Sequence, residues 1–272
     1  RIRVLSRSEW GASKTLPRRG HRIGPARRTE VFIHHTTVVD RDTTVNEWEN
    51  ISEVKARMRQ LQTIRPDLGA DVPYSMVAFC MANGELVLCE GRGLERTGAH
   101  THGHNRSALG IAFQGNFQRT PLPRFLDQQL TTLSEWLREL RSKHGFVNLG
   151  SVRPRDREVW SHSDVKSTQC CGRYLINRLG LIRFLAQEDD EMKMDQRTWK
   201  TVQRSLQALS PPLYAGRTID GKPGRNTSTA VKAFERRVGF ASRGVLGTPN
   251  DPEAGMWPAT RELLFVHAFS RK

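Results

Sequence analysis

The residues best equipped for chemistry are histidines and cysteines in two places. His34-His35 follows the apolar triplet Val31-Phe32-Ile33. A strand there turns one imidazole to one sheet face and its neighbour to the other, so one of them can face a cleft. His162 lies within Trp160-Ser161-His162-Ser163-Asp164-Val165-Lys166-Ser167-Thr168-Gln169-Cys170-Cys171-Gly172, with a thiol eight residues further on at Cys170. Imidazole and thiolate are preferred zinc ligands, and a loop of that length brings both to one ion. Two His and one Cys leave a fourth tetrahedral position for water, the arrangement of a catalytic rather than a structural zinc. By spacing alone, a satisfied core histidine and a buried thiol explain the same residues. His100, His102 and His104 in a Gly-bounded loop read either as a second metal site or as ordinary groove lining.

The elements around these residues alternate between strand and helix. Val31-Phe32-Ile33 predicts a short strand. Val45, Trp48, Val54, Met58 and Leu61 fall at near-helical spacing before a stop at Arg65-Pro66. Residues 77–81 and 86–89 predict a hairpin, 109–113 another strand, and Leu130, Leu133, Leu137 and Leu140 a helix ending near Gly145. A single last helix is expected through Tyr174, Leu175, Leu179 and Ile182. This order implies an α/β domain with a mixed central sheet flanked by helices. The acidic run Glu188-Asp189-Asp190-Glu191 interrupts helical patterns on both sides, which places a linker at 187–193 between a domain at 1–186 and a second at 194–272. In the second, Val202, Leu206 and Leu209, then Val231 and Phe234, then Leu263 and Leu264 predict a small three-helix module.

The chain has 272 residues, 37% hydrophobic and 26% charged, the balance of a globular protein. Lys and Arg number 43 against 28 Asp and Glu, a net charge of +15, which favours a polyanionic partner. Residues 187–272 hold 14 basic and 10 acidic residues, so the first domain carries 29 and 18 and most of the excess. Nine of its cations lie within the first 28 residues among Gly and Pro, an irregular basic segment that reads equally as a solvated arm or a polyanion dock. No apolar run approaches the length of a membrane helix, so no membrane insertion is expected. Arg1 stands where a start Met would, which points to a processed or excised product. Four cysteines are too few for a disulfide framework. Read as a two-residue Asn83-Gly84 hairpin, the turn sets Cys80 opposite Val87 and Cys89 opposite Ala78, diagonal neighbours on one face. A disulfide is possible there; two buried thiols are the plainer reading.

Six segments in order, Ser8-Glu9-Trp10-Gly11-Ala12, residues 31–36, Pro73-Tyr74, residues 98–105, residues 110–117 and residues 162–172, resemble the zinc-dependent N-acetylmuramoyl-L-alanine amidases shared by phage lysins and peptidoglycan recognition proteins. The resemblance implies His34, His162 and Cys170 as ligands of Zn2+. It implies catalytic roles for the hydroxyls of Tyr74 and Thr168, with Lys166 as the fallback for Thr168. His100 and Asn105 would border the substrate groove, and His35 is either structural or a further substrate contact. Departures from the family pattern are Ser75, His104 and Cys171, the last standing where a Pro commonly follows the ligand Cys. The implied reaction is hydrolysis of the amide between N-acetylmuramic acid and L-alanine by zinc-activated water.

Residues 195–265 resemble a small peptidoglycan-binding domain through Val202-Gln203, Leu206, Ile219-Asp220-Gly221, Gly224, Thr227, Ala230-Val231, Phe234 and residues 244–247. The pairing implies an endolysin-like hydrolase acting on bacterial peptidoglycan at the cell wall. It would be made in a host cytoplasm if phage-encoded, or secreted if cellular. A monomer is expected. Anionic wall polymers account for the positive charge as well as nucleic acid would, and no nucleic-acid motif accompanies it, so no nucleic-acid partner is expected. The alternative function is a peptidoglycan-binding or recognition protein without turnover.

Overall fold

The structure is a computed structural model, described here for residues 1–38, 45–68, 70–151, 153–187, 192–193, 196–209, 211–222, 224–238, 245–246, 255–256 and 264. The chain falls into two compact units, Arg1–Ala186 and Gln187–Lys272. The first is a mixed α/β domain. Its strands are β1 (Ile2–Leu5), β2 (Glu30–His35), β3 (Met76–Cys80), β4 (Leu86–Glu90), β5 (Ala108–Phe113) and β6 (Val159–Ser161), and its helices are α1 (Arg7–Trp10), α2 (Ile51–Thr63), α3 (Leu126–Arg141), α4 (Arg173–Ile176) and α5 (Leu179–Gln187). The six strands run in the order β1-β4-β3-β5-β2-β6. All neighbouring pairs are parallel except the β3–β4 hairpin.

The register lines up one row of residues across five strands: Leu5, Cys89, Val77, Ala112 and His34. Residues directly paired across a sheet share a face, so His34 stands on the face where α2 buries Val54, Met58 and Leu61 against Val77, Phe79 and Cys89. Each fully buried apolar side chain of this kind contributes about 1.5–3 kcal/mol. That cluster fixes the strands from which the histidines project.

Several sequence expectations are corrected. The basic N-terminal segment is not irregular throughout, because it contains β1 and α1. Trp10 is fully buried and donates to the carbonyl of Glu90 at 2.8 Å. Its cations are partly consumed within the fold: Arg3 pairs with Glu85, Arg7 with the buried Asp71 and Arg18 with Glu90. Arg28 is 0% exposed and donates only to backbone carbonyls, those of Leu94, Ala108 and Arg96. Helix α2 begins at Ile51, since Asn50 caps it by accepting from the Glu53 amide at 3.0 Å. Val45 is therefore outside the helix and exposed, and Trp48 instead bridges Met81.

The expected single helix after Gly172 is two, α4 and α5. The Arg178 guanidinium takes the carbonyl of Tyr174 while its amide turns to Leu175, so the α ladder ends there. The hairpin has three loop residues, not two. Met81 donates to Glu85, and Gly84 donates to Met81 with φ +86°. That is a turn closed by a left-handed glycine. The extra residue slips the register by one, so Cys80 faces Leu86 and Cys89 faces Val77. A one-residue slip sends a side chain to the other side of the sheet, and the two thiols lie on opposite faces as free cysteines.

The second unit contains α6 (Gln196–Ala208), α7 (Arg225–Arg237) and a small sheet of β7 (Met192–Lys193), β8 (Val245–Leu246) and β9 (Gly255–Met256), ordered β7-β9-β8. Trp199, Val202, Leu206, Val231 and Phe234 are buried. The fully buried Gln203 ties the module together, donating to Asp220 at 2.8 Å and accepting from the Gly221 amide at 2.9 Å. These two-residue strands carry no local pattern that would announce them. Leu263, the residues of the acidic linker from 188 to 191, and Gly244 and Gly247 lie outside the described residues.

Candidate metal centre

Strand β2 delivers His34 at its C-terminal end, and β6 runs parallel beside it with Ile33 opposite Ser161. His162 follows at once, so its ring meets that of His34 with centroids 4.7 Å apart. A short 3-10 turn, His162–Asp164, starts there, capped by Ser161 and by Asp164, whose carboxylate accepts from the Ser161 amide at 2.9 Å. Asp164 is in turn held by Arg157 and Arg183. The loop then closes on itself: Ser163 donates to the carbonyl of Cys170 at 3.0 Å. Nitrogen and sulfur atoms of His34, His162 and Cys170 consequently lie within 4.8 Å of one another, all three residues buried.

This set fits a zinc ion. Burial, reinforced by neighbouring His100 and His162, holds His34 well below the ordinary imidazole range, and burial brings His162 down to about 4. Both rings are then neutral with a lone pair to offer, the form a metal needs. Nδ1 of His162 is buried with no hydrogen-bond partner among the described residues, a cost that a ligand would remove. Sγ of Cys170 sits 3.5 Å from Nδ1 of His34 and accepts from the His35 amide at 3.4 Å. Burial raises the Cys170 thiol far above its usual range in the absence of a cation, and a coordinated divalent ion reverses that preference.

The other nitrogen of His34 is also held. Its Nε2 lies 3.2 Å from Nδ1 of His100 and 3.3 Å from the Thr101 hydroxyl, the kind of outer contact that fixes which nitrogen of a ligand imidazole faces the metal. The loop carrying these residues is folded by Asn105, whose Oδ1 accepts from the amides of both His100 and Thr101. Burial takes His100 down to about 3, so it too is neutral. Tyr74 is 3% exposed with its ring 5.2 Å from that of His34. Burial, with Cys170 adding, lifts its phenol well above the usual range, so the hydroxyl stays protonated.

These groups line a cavity of about 310 Å3. His34, His162, Tyr74, His100 and Asn105 all contribute to its walls, together with Arg65, Thr101, His102 and Lys166. Cys170 is not part of the lining and reaches the site only through its Sγ beside His34. His35 does not line the cavity. It is buried on the opposite sheet face, where its Nδ1 accepts from the Phe117 amide at 3.2 Å. Nor does Thr168, whose hydroxyl accepts from the Cys170 amide at 3.3 Å; of the two loop residues considered for one role, Lys166 is the one at the cavity. His104 turns away from the centre and contacts Glu30 at 3.2 Å, so the three alternate histidines are not a second metal cluster. Cys171 is buried and its thiol pushed up to about 12 by that burial, with no place in the ligand set. Sequence reasoning missed Thr101 and Arg65. Thr101 lies between two histidines that drew the attention, and Arg65 looked only like the end of α2.

A sheet of this order with a His-His-Cys centre at the end of β2 defines a class. The family model for N-acetylmuramoyl-L-alanine amidase matches residues 25–173, more than half of the chain, and the protein belongs to that family. Among its relatives, N-acetylmuramoyl-L-alanine amidase of Mus musculus is 31% identical over 180 residues, 65% of this chain and 30% of that protein. Peptidoglycan-recognition protein 2 of Holotrichia diomphalia is 28% identical over 159 residues, covering 56% of this chain and 77% of the relative. Among solved structures, wild-type Drosophila PGRP-LB is 25% identical with a TM-score of 0.52, covering 70% of this chain and all of that one. The match therefore spans less than a third of the mouse amidase.

Proposed function

We propose that this protein is a zinc-dependent peptidoglycan hydrolase that cleaves the amide between N-acetylmuramic acid and L-alanine. The observation that carries the reading is the convergence of His34, His162 and Cys170 beside a buried, protonated Tyr74, with both histidines and the tyrosine lining one cavity. Bound Zn2+ would supply Lewis acidity and a water that ionises near neutral pH. The chain's own residues do the rest. His34 offers Nδ1 to the centre because His100 and Thr101 occupy its Nε2. Tyr74 donates its O–H to the oxygen that becomes negative as the amide carbon turns tetrahedral, an interaction stronger in the transition state than in the substrate. Thr168 holds the ligand loop through the Cys170 amide.

The rival reading is recognition without turnover, since relatives include peptidoglycan-recognition proteins as well as amidases. Cys170 and Tyr74 favour turnover, because binding alone requires neither a three-ligand set with a free position nor a phenol beside it. Metal content measured alongside release of new amino-terminal alanine from purified peptidoglycan separates the two. A zinc-loaded protein that binds walls but frees no alanine overturns the hydrolase.

The second unit is proposed to hold the enzyme on the wall. Its buried apolar stripe on α6 and α7 and the Gln203-pinned Asp220-Gly221 turn support a small folded binding module. Tethering such a module to a catalytic domain raises the local concentration of an insoluble substrate. Bacterial peptidoglycan is the partner, anionic wall polymers account for the positive charge, and the site of action is the cell wall. The protein works as a monomer, with no nucleic-acid partner. No helix among the described residues is long and apolar enough to cross a membrane.

A further inference from the structure

The cavity beside the metal centre has a charge pattern that hydrolysis of a neutral amide does not require. Among the described residues its lining holds two permanent cations, Arg65 and Lys166, and no carboxylate. The two come from unrelated elements. Arg65 follows the end of α2 and lies near enough to Tyr74 to interact with it electrostatically, and Lys166 sits in the ligand loop near enough to His162 to do the same. Lys166 is exposed and makes no ion pair among the described residues. Arg65 gives Nε and Nη2 to Asp67, which fixes the plane of its guanidinium and leaves Nη1 unengaged by that carboxylate.

Asp67 balances Arg65 from outside the cavity lining, but Lys166 has no carboxylate facing it there, so an anion entering the cavity meets one cation without a counter-charge and a guanidinium with Nη1 still to give. Resting on the amidase reading above, we infer that Arg65 and Lys166 bind a free carboxylate on the stem peptide, so that the enzyme selects peptides ionised, rather than amidated, at the second residue. Alanine, the first residue, carries no side-chain charge. An extended residue spans about 3.3–3.6 Å, so the second residue places its carboxylate roughly 7 Å beyond the scissile amide, within the reach of two long side chains at the cavity wall. Amidation replaces an acceptor-only anion by a group carrying two N–H donors, which meets the ammonium of Lys166 donor to donor.

The test compares two N-acetylmuramoyl-L-alanyl-D-glutamate derivatives, both capped as the methylamide at the γ-carboxyl and carrying either a free or an amidated α-carboxyl, as substrates of the zinc-loaded full chain. Their binding to the Tyr74→Phe variant is measured by calorimetry. The free acid is expected to be favoured about tenfold in kcat/KM and in affinity, through KM rather than kcat. Lys166→Gln brings the ratio between the two substrates close to one, and Lys166→Glu inverts it. The residue is exposed, so neither change threatens the fold. Equal use of both substrates by the unmodified protein, or a ratio untouched by Lys166→Glu, overturns the inference. A binding preference that persists without cleavage of either compound supports the carboxylate site and sinks the hydrolase reading instead. Binding of neither overturns both.

Discussion

Sγ of Cys170 lies 3.5 Å from Nδ1 of His34 although 136 positions separate them in the chain. Their meeting requires β6 to pair in parallel beside β2 and the 162–170 loop to fold back on the carbonyl of Cys170. Removing either end of this contact leaves at most two ligands. Cys170→Ala and His162→Ala are each expected to lose zinc from about one equivalent to near none on purification, with amidase activity falling below detection. Metal analysis of the purified variants decides the matter. A full equivalent of zinc retained in either one removes that residue from the ligand set.

Tyr74→Phe is expected to leave metal content unchanged and to lower kcat about 100-fold or more, the usual cost of deleting one oxyanion donor. The aromatic ring that packs near His34 remains, so the site keeps its shape. Turnover of a soluble muropeptide, measured beside the metal content, isolates the hydroxyl. A rate equal to that of the unmodified enzyme assigns Tyr74 to packing alone.

Residues 187–272 form their own compact unit. Their deletion is expected to lower retention on purified cell walls by about 100-fold, as loss of a tethered module does, while cleavage of soluble muropeptides stays within about twofold. Sedimentation with walls and a soluble assay read the two effects separately. Undiminished retention would assign wall attachment to the first unit.

Cys80 and Cys89 are expected to remain free in the folded protein and to resist a thiol reagent until it unfolds. Burial pushes the Cys89 thiol up to about 12 and Cys80 higher still, so almost no thiolate exists at pH 8. The slipped register puts the sheet itself between them. Timed reaction with a chromogenic disulfide, in native buffer and in guanidinium, measures both statements. Rapid native labelling at either position, or a Cys80–Cys89 disulfide found by peptide mapping, contradicts the packing described.

The same hairpin shows where sequence reading reaches its limit. Asn83-Gly84 announces a turn, but whether two or three residues form the loop depends on which carbonyl the Met81 amide finds across it, and no local signal settles that. Strand alternation showed that one of His34 and His35 could face a cleft, while the choice of His34 and its grouping with His162 came from the family resemblance. The partners of Nε2 on His34 could not be read locally, since His100 and Thr101 arrive through a loop held by the Asn105 side chain and by backbone bonds such as that from Ala99 to Pro73. The start of α2 was legible but overlooked: Asn50 followed three residues later by Glu53 marks a helix N-terminus, and the apolar stripe drew the boundary too early. Arg28 could not be read as buried, because its partners are three backbone carbonyls that only the fold brings together.

Two glycines make room for His100. A Cβ on Gly110 would lie 2.4 Å from Cδ2 of that ring, and one on Gly98 would lie 2.2 Å from the same atom. Neither distance is tolerable, so the imidazole occupies a slot that exists only because both positions lack a side chain. Gly110→Ala is expected to push the ring away from Nε2 of His34, costing about 1–3 kcal/mol of stability through overpacking. Zinc affinity should fall about 10- to 100-fold through the lost outer contact, although no ligand has been touched. Thermal melting and competition with a chelator measure the two quantities. His100→Ala added to Gly110→Ala relieves the clash and should restore much of the stability while leaving the affinity low, a coupling that a double-mutant cycle reads directly. If the single variant keeps full affinity, His100 fills space beside His34 without orienting it.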